Sequence, residues 1–125
     1  VRDIFQRVRR FDDIQKNLGI ARNVLANRLD RLVEAGILKK RLYRERPARY
    51  EYFLTEKGID LWPVLVSLIK WGDKHEPDER GRPLVVRHKG CGGEISDHFI
   101  CERCASEVWA RDAYVDPAPA LAAAA

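Results

Sequence analysis

The most constraining feature of the chain is a pair of helical apolar stripes with almost no sequence between them. In "RRFDDIQKNLGI", Phe11, Ile14 and Leu18 recur at helical spacing, and Gly19 is placed to close that helix in a left-handed cap. A second helix is predicted from about Ala21 to Ala35, with Leu25, Leu29 and Leu32 on one stripe and Val33 widening it. Gly36 ends it. Two helices joined by so short a Gly-containing turn must cross rather than stack in line, which is the helix-turn-helix arrangement.

The period then changes. "ILKKRLYRE" and "RYEYFL" read as strands, with Leu42, Tyr50, Tyr52 and Leu54 on a half-buried face. The polar "RERPAR" between them, with Pro47, makes a hairpin with a basic tip. Thr55 is suited to cap a long helix over 56–74, in which Leu61, Trp62, Leu65, Leu68 and Ile69 form a broad stripe and Pro63 is expected to bend the axis near Ile59. Its apolar surface exceeds what one small core needs, so a partner helix is expected to cover it. Residues 1–7 read as the end of an earlier helix. The expected fold class is therefore mainly α with a small β-hairpin wing.

A recognition helix presents to the major groove the face opposite its buried stripe. Here that face carries Asn23, Asn27, Asp30 and Arg31, with Arg22 near the N-terminus. Asn pairs with the adenine edge and Arg with guanine, whereas Asp30 fits a structural role better than a base contact. The hairpin adds Arg44, Arg46 and Arg49, placed to enter the minor groove or clamp the backbone. Charge agrees: residues 1–58 hold 15 basic and 8 acidic side chains, net +7, whereas residues 59–125 hold 8 and 11, net −3. The expected partner is double-stranded DNA. A wing-bearing module that binds protein instead is the bland alternative, in which these side chains are only a solvated face.

All three cysteines fall in "RHKGCGGEISDHFICERCASEV". The spacing His88-x2-Cys91-x9-Cys101-x2-Cys104 gives two pairs with a short loop between them. A two-residue gap lets the chain turn so that both side chains of a pair face one ion, and thiolate and imidazole suit tetrahedral zinc. Gly90, Gly92 and Gly93 favour the tight turn. A segment of about 30 residues cannot hold itself by apolar burial alone, so a structural zinc is the expected staple of a zinc-ribbon-like β module. His98 competes with His88 as the fourth ligand. Three incidental thiols, or Cys101 and Cys104 acting as a redox dithiol, are the other readings. A closed four-ligand site leaves no position for water, and no nucleophile motif, acid–base pair or phosphate loop is visible, so the chain is not read as an enzyme.

"RRFDDIQ", "GIARNVLANRLDRLVEAGIL", "YEYFLTEKG" and "PVLVSLIKWG", in that order, resemble the HxlR-type winged helix-turn-helix transcriptional regulators over about residues 8–75. The resemblance implies a homodimeric bacterial DNA-binding regulator. It makes Ala21–Ala35 the recognition helix and Arg44–Arg49 the wing tip, with dimer contacts from helix 56–74 and the N-terminal helix. Some members that look actinobacterial carry a similar "H-x-x-C-G…C-x-x-C" extension. Members usually have an earlier helix, often preceded by an oxidant-sensing cysteine. That region is not in this sequence, so sensing by that route is not carried over.

The expected organisation is a DNA-binding and dimerisation domain over 1–76 with N-terminal sequence preceding it, a linker over 77–86, the cysteine module over 87–116 and a disordered tail over 117–125. With no apolar run near the roughly 18 residues that span a bilayer and no secretory leader, a cytoplasmic location and no membrane partner are expected. The expected role is a homodimeric repressor. A redox- or metal-sensing regulator, with the cysteine cluster as sensor, is the alternative.

Overall fold

The computed structural model describes residues 1–82 and 84–117, in two compact units, Val1–Asp60 and the chain from Leu61 onward. The expected tail over 117–125 lies, beyond Pro117, outside the described residues.

The first unit begins with α1 (Arg2–Phe5) and α2 (Phe11–Leu18). Gly19 takes φ 65°, and its N–H donates to the Gln15 carbonyl at 2.8 Å, so α2 closes in the left-handed cap that the sequence predicts. Helix α3 (Arg22–Glu34) follows after Ile20 and Ala21. The wing is β1 (Leu38–Arg44) against β2 (Arg49–Leu54), antiparallel, with Leu38 opposite Leu54 and Leu42 opposite Tyr50. A third backbone run joins it, since the Tyr52 N–H donates to the Arg9 carbonyl at 2.8 Å and Arg10 bridges to Glu51. Ile4, Ile14, Leu25, Leu29, Leu38 and Tyr52 form the buried core where these elements meet. Leu32 and Val33 are half-buried against it.

Thr55 caps α4 (Glu56–Ile59), its Oγ1 accepting from the Gly58 N–H at 3.1 Å. The single long helix expected over 56–74 is not formed. Helix α4 stops at Ile59, and a separate helix, α5 (Trp62–His75), starts after two intervening residues with Pro63 in its first turn. The physical reason is that proline has no N–H to donate to a preceding turn but is well suited to a first turn, where N–H groups have no intrahelical acceptor. Pro63 therefore starts a helix rather than bending one.

In the second unit, Trp62 and Val66 of α5 are buried, along with Val86, Ile95, Cys101, Val108 and Ala113. Trp62 lies 5.8 Å from Phe99, which stacks on Trp109. Lys70 of α5 pairs with Glu94 at 2.9 Å, and Arg82 pairs with the same carboxylate. These contacts group α5 with the cysteine-bearing segment. Strand β3 (Leu84–His88) begins inside the stretch expected to be a linker and pairs antiparallel with β4 (Ala113–Pro117). Val86 is buried, and the β-branched Val85 and Val86 favour a strand although the prolines and charges upstream signal a loop. The observed fold is mixed: helices plus two small antiparallel sheets.

Candidate nucleic-acid interface and metal-binding cluster

Leu25 and Leu29 are each 3 % exposed and fix the orientation of α3. At 100° per residue, Asn23, Asn27 and Arg31 fall on the opposite side, and all three are exposed. Val24 and Arg28 are exposed beside them, and neither stands out in the sequence because one is apolar and the other lies off the polar stripe. Asp30 is exposed too.

Arg22 behaves differently. It sits at the first position of α3, toward α2, and its Nη1 donates to Asp12 Oδ1 at 2.8 Å and to Gln15 Oε1 at 3.2 Å. Its guanidinium also lies 4.7 Å from the Phe11 ring centre. Arg49, at the start of β2, donates from Nη1 to the other oxygen of Asp12 at 2.8 Å. One carboxylate thus joins the tip end of the wing, where Arg49 stands opposite Arg44, to the start of α3. The Arg22 hydrogen bond is the main cause holding the Asp12 carboxyl below its usual range, with Arg49 adding to it. The sequence shows Asp12 only as a first-turn acid of α2, so its link to residues 10 and 37 positions away is not visible there.

At the tip, Arg44 and Arg46 are exposed. The wing carries further cations on aromatic faces: Arg9 and Arg41 each lie 4.7 Å from the Phe53 ring centre, and Arg10 lies 4.3 Å from that of Tyr43. Stacking of this kind leaves the guanidinium charge itself unneutralised. Arg41 is also paired with Glu51 at 2.6 Å.

In the second unit, two turns of matching hydrogen-bond pattern bring the cysteines and one histidine together. The His88 N–H donates to the Gly93 carbonyl and the Gly92 N–H to the His88 carbonyl, both at 2.8 Å. The Cys101 N–H donates to the Ser106 carbonyl and the Ala105 N–H to the Cys101 carbonyl, again both at 2.8 Å. Gly92 (φ 73°) and Ala105 (φ 63°) hold equivalent left-handed positions. The chain doubles back at each turn, so His88 and Cys91 face Cys101 and Cys104.

The donor atoms of His88, Cys91, Cys101 and Cys104 all lie within 4.8 Å of one another. His88 Nδ1 is 3.5 Å from Cys91 Sγ and 3.3 Å from Cys104 Sγ, and the Cys91 and Cys101 sulfurs are 3.4 Å apart. Metal–sulfur bonds of about 2.3 Å and metal–nitrogen bonds of about 2.0 Å give tetrahedron edges of roughly 3.5–3.8 Å. The donor set therefore fits one small divalent cation. Gly93 keeps the space clear, because a Cβ there would come within 2.6 Å of both Cys101 Sγ and Arg103 Cβ. His98 is exposed, with Nε2 3.9 Å from Asp97, and is not part of the cluster.

The thiols differ. Hydrogen bonds from the Ser106 hydroxyl and amide bring exposed Cys104 down to about 6. The Cys104 and Arg103 amides lower buried Cys101. At Cys91 the Gly93 amide pulls downward, but hydrogen bonding with Cys101 and burial raise the thiol overall. Interaction with Cys101 and then Cys104 raises His88. Backbone and hydroxyl donors thus favour thiolate at two of the three sulfurs before any cation is present.

A two-helix unit with a crossing second helix, an exposed polar face and a basic hairpin defines a winged helix-turn-helix protein. Residues 1–80 match the family described as HxlR-like helix-turn-helix, and the chain belongs to that family. It is 41% identical over 123 residues to the uncharacterized HTH-type transcriptional regulator Rv3095 of Mycobacterium tuberculosis, covering 98% of this chain and 78% of that protein. That alignment runs through the cysteine segment. Among solved structures, PA1607 gives a TM-score of 0.66 at 36% identity, covering 92% of this chain and 80% of that one. PA1374 of Pseudomonas aeruginosa gives 0.59 at 34%, covering 94% and 80%. The family and these relatives are transcriptional regulators, not enzymes. Among the described residues, no helix is long and apolar enough to cross a membrane.

Proposed function

We propose that the protein is a homodimeric, sequence-specific repressor that reads operator DNA in the cytoplasm and carries one structural zinc ion per chain. The observation that supports DNA reading best is the orientation of α3: burial of Leu25 and Leu29 leaves Asn23, Asn27 and Arg31 outward. In this reading, the amides and guanidinium of those three side chains hydrogen-bond to base edges in the major groove. Arg44 and Arg46 at the wing tip neutralise phosphates or enter the adjacent minor groove. Arg49, opposite Arg44 at the same end of the wing, and Arg22 at the start of α3 contact the backbone. Occupancy of the operator then excludes polymerase.

Dimer formation is assigned to α5 and the N-terminal helix. Val64, Leu68 and Trp71, spaced i, i+4 and i+7 on α5, are 53 %, 62 % and 57 % exposed, an apolar stripe that a second copy would bury. A two-fold dimer presents two α3 helices to half-sites about 34 Å apart, or a multiple of that spacing.

His88, Cys91, Cys101 and Cys104 would hold the zinc. When bound, it supplies four bonds that tie the two turns together in a unit with a small apolar core. The residues themselves hold the donors in place: Gly93 leaves room for the sulfurs, and the turn amides favour the thiolates.

The test is selection of duplexes from a randomised library by the full chain, followed by footprinting of the enriched sequence. Enrichment of an inverted repeat with half-sites one or two helical turns apart is expected; an unenriched pool sinks the reading. A second reading is that the cluster is a sensor, favoured by the exposure of Cys104. It expects duplex affinity to change when the metal is removed or the thiols are oxidised.

A further inference from the structure

Arg22 and Arg49 come from different elements, one from the first turn of α3 and one from the tip end of the wing, opposite Arg44. Two guanidinium groups that share one small region of surface repel each other, and their long side chains are otherwise free to diverge into solvent. Here each of the two Asp12 oxygens takes one of them, at 2.8 Å. Gln15 and the Phe11 ring hold Arg22 from the other side. Each arginine gives Asp12 only one nitrogen, and a guanidinium has five N–H donors, so both remain able to bind an external anion. The Arg49 Nε is buried, with no protein partner among the described residues.

We propose that Asp12 is a positioning residue of the DNA-binding surface. It holds the Arg22 and Arg49 guanidiniums side by side, so that they bind a DNA backbone phosphate together. The proposal rests on the DNA-binding reading of this face. Its consequence runs against simple electrostatics. An acid on a DNA-facing surface repels the duplex, so its removal should tighten binding if Asp12 does nothing else. As a positioning residue its removal must weaken binding, because two arginines that were held in place now have to be ordered at the moment of association.

The experiment measures affinity of the full chain for a fluorescein-labelled duplex of mixed sequence, about three helical turns long, across a salt series. Asp12→Ala is expected to bind about three- to tenfold more weakly than wild type and to lower the salt slope by roughly 1, the signature of a lost phosphate contact. Asp12→Asn, which keeps the shape and loses the charge, is expected to weaken binding in the same direction. Asp12→Glu, which retains the carboxylate, is expected to recover most of the affinity. In a background already carrying Arg22→Ala and Arg49→Ala, Asp12→Ala is expected to cause no further loss. Equal or tighter binding by Asp12→Ala and Asp12→Asn, while Arg46→Ala still lowers the salt slope, overturns the proposal and leaves the DNA reading intact. Wild-type protein with no salt-dependent affinity for any duplex overturns both.

Discussion

His88 Nδ1 lies 3.3 Å from the sulfur of Cys104, although sixteen residues separate them in the chain. The contact depends on two turns that fold alike, one closed by Gly92 and the other by Ala105. The Ser106 hydroxyl and amide stabilise the thiolate at Cys104, whose pKa is about 6. In metal-free protein, alkylation of Cys104 by iodoacetamide should therefore rise through a midpoint near 6 rather than at the ordinary thiol value of about 8.5. The sign for stability follows: a depressed thiol pKa adds stability above its unfolded-state value, and that contribution is lost as pH falls through about 6. Mass spectrometry of alkylated peptides across a pH series reads the midpoint; a Cys104 that reacts no faster than an ordinary thiol at pH 7 contradicts the assignment.

Gly93→Ala should abolish metal loading. Its Cβ would come within 2.6 Å of the Cys101 sulfur and of Arg103 Cβ, which forces the donors apart. Metal analysis is expected to find one zinc per chain in wild type and a small fraction of that in the variant. A fully loaded Gly93→Ala protein contradicts the closed site.

Asn27→Ala should cost discrimination rather than general affinity. A good bidentate amide-to-base contact is worth about 1–3 kcal/mol against the wrong base. Competition between the selected operator and single-base variants of it is expected to show relaxed preference at one position of each half-site. Unchanged preference at every position removes Asn27 from the groove.

Arg46→Ala should weaken all duplexes alike. Loss of one phosphate contact is expected to reduce the slope of log affinity against log salt by about 0.9. An unchanged slope places the wing tip outside the interface.

Leu68→Glu tests the exposed stripe of α5. Leu68 is 62 % exposed, so the charge disturbs little within one chain, but it would be buried in the proposed dimer. Light scattering is expected to show a monomer where wild type is a dimer, together with loss of operator affinity. A variant that remains dimeric moves the interface elsewhere.

Much of the first unit is legible because its signals are local. The Phe11 and Ile14 part of the α2 stripe, the Gly19 cap, the Leu25 and Leu29 face and the Thr55 cap each depend on residues within about one or two helical turns, whereas Leu18, expected on the same stripe, is exposed. The paired spacing of the cysteines is local as well, and the structure brings His88, not His98, to the sulfurs. What depends on distant partners is not legible. The Asp12 link to Arg22 and Arg49, and the grouping of α5 with Phe99 and Glu94, arise only once the chain has folded. Ala105 matches Gly92 in conformation but not in residue type, so composition signals only one of the two turns. Pro63 is misleading for another reason: one residue type both interrupts helices and begins them, and its neighbours on each side carry helical patterns.

Gly58 is buried where the chain leaves the wing, and any Cβ there would collide with the backbone carbonyl of Ile37, the residue that leads from α3 into β1. At this point main chain meets main chain, so α4 packs against the joint between α3 and β1 only with glycine at position 58. A side chain at position 58 would force this joint apart. If the proposed DNA-reading face is correct, divergence in target choice should concentrate at positions such as 23, 27 and 31 while position 58 stays glycine.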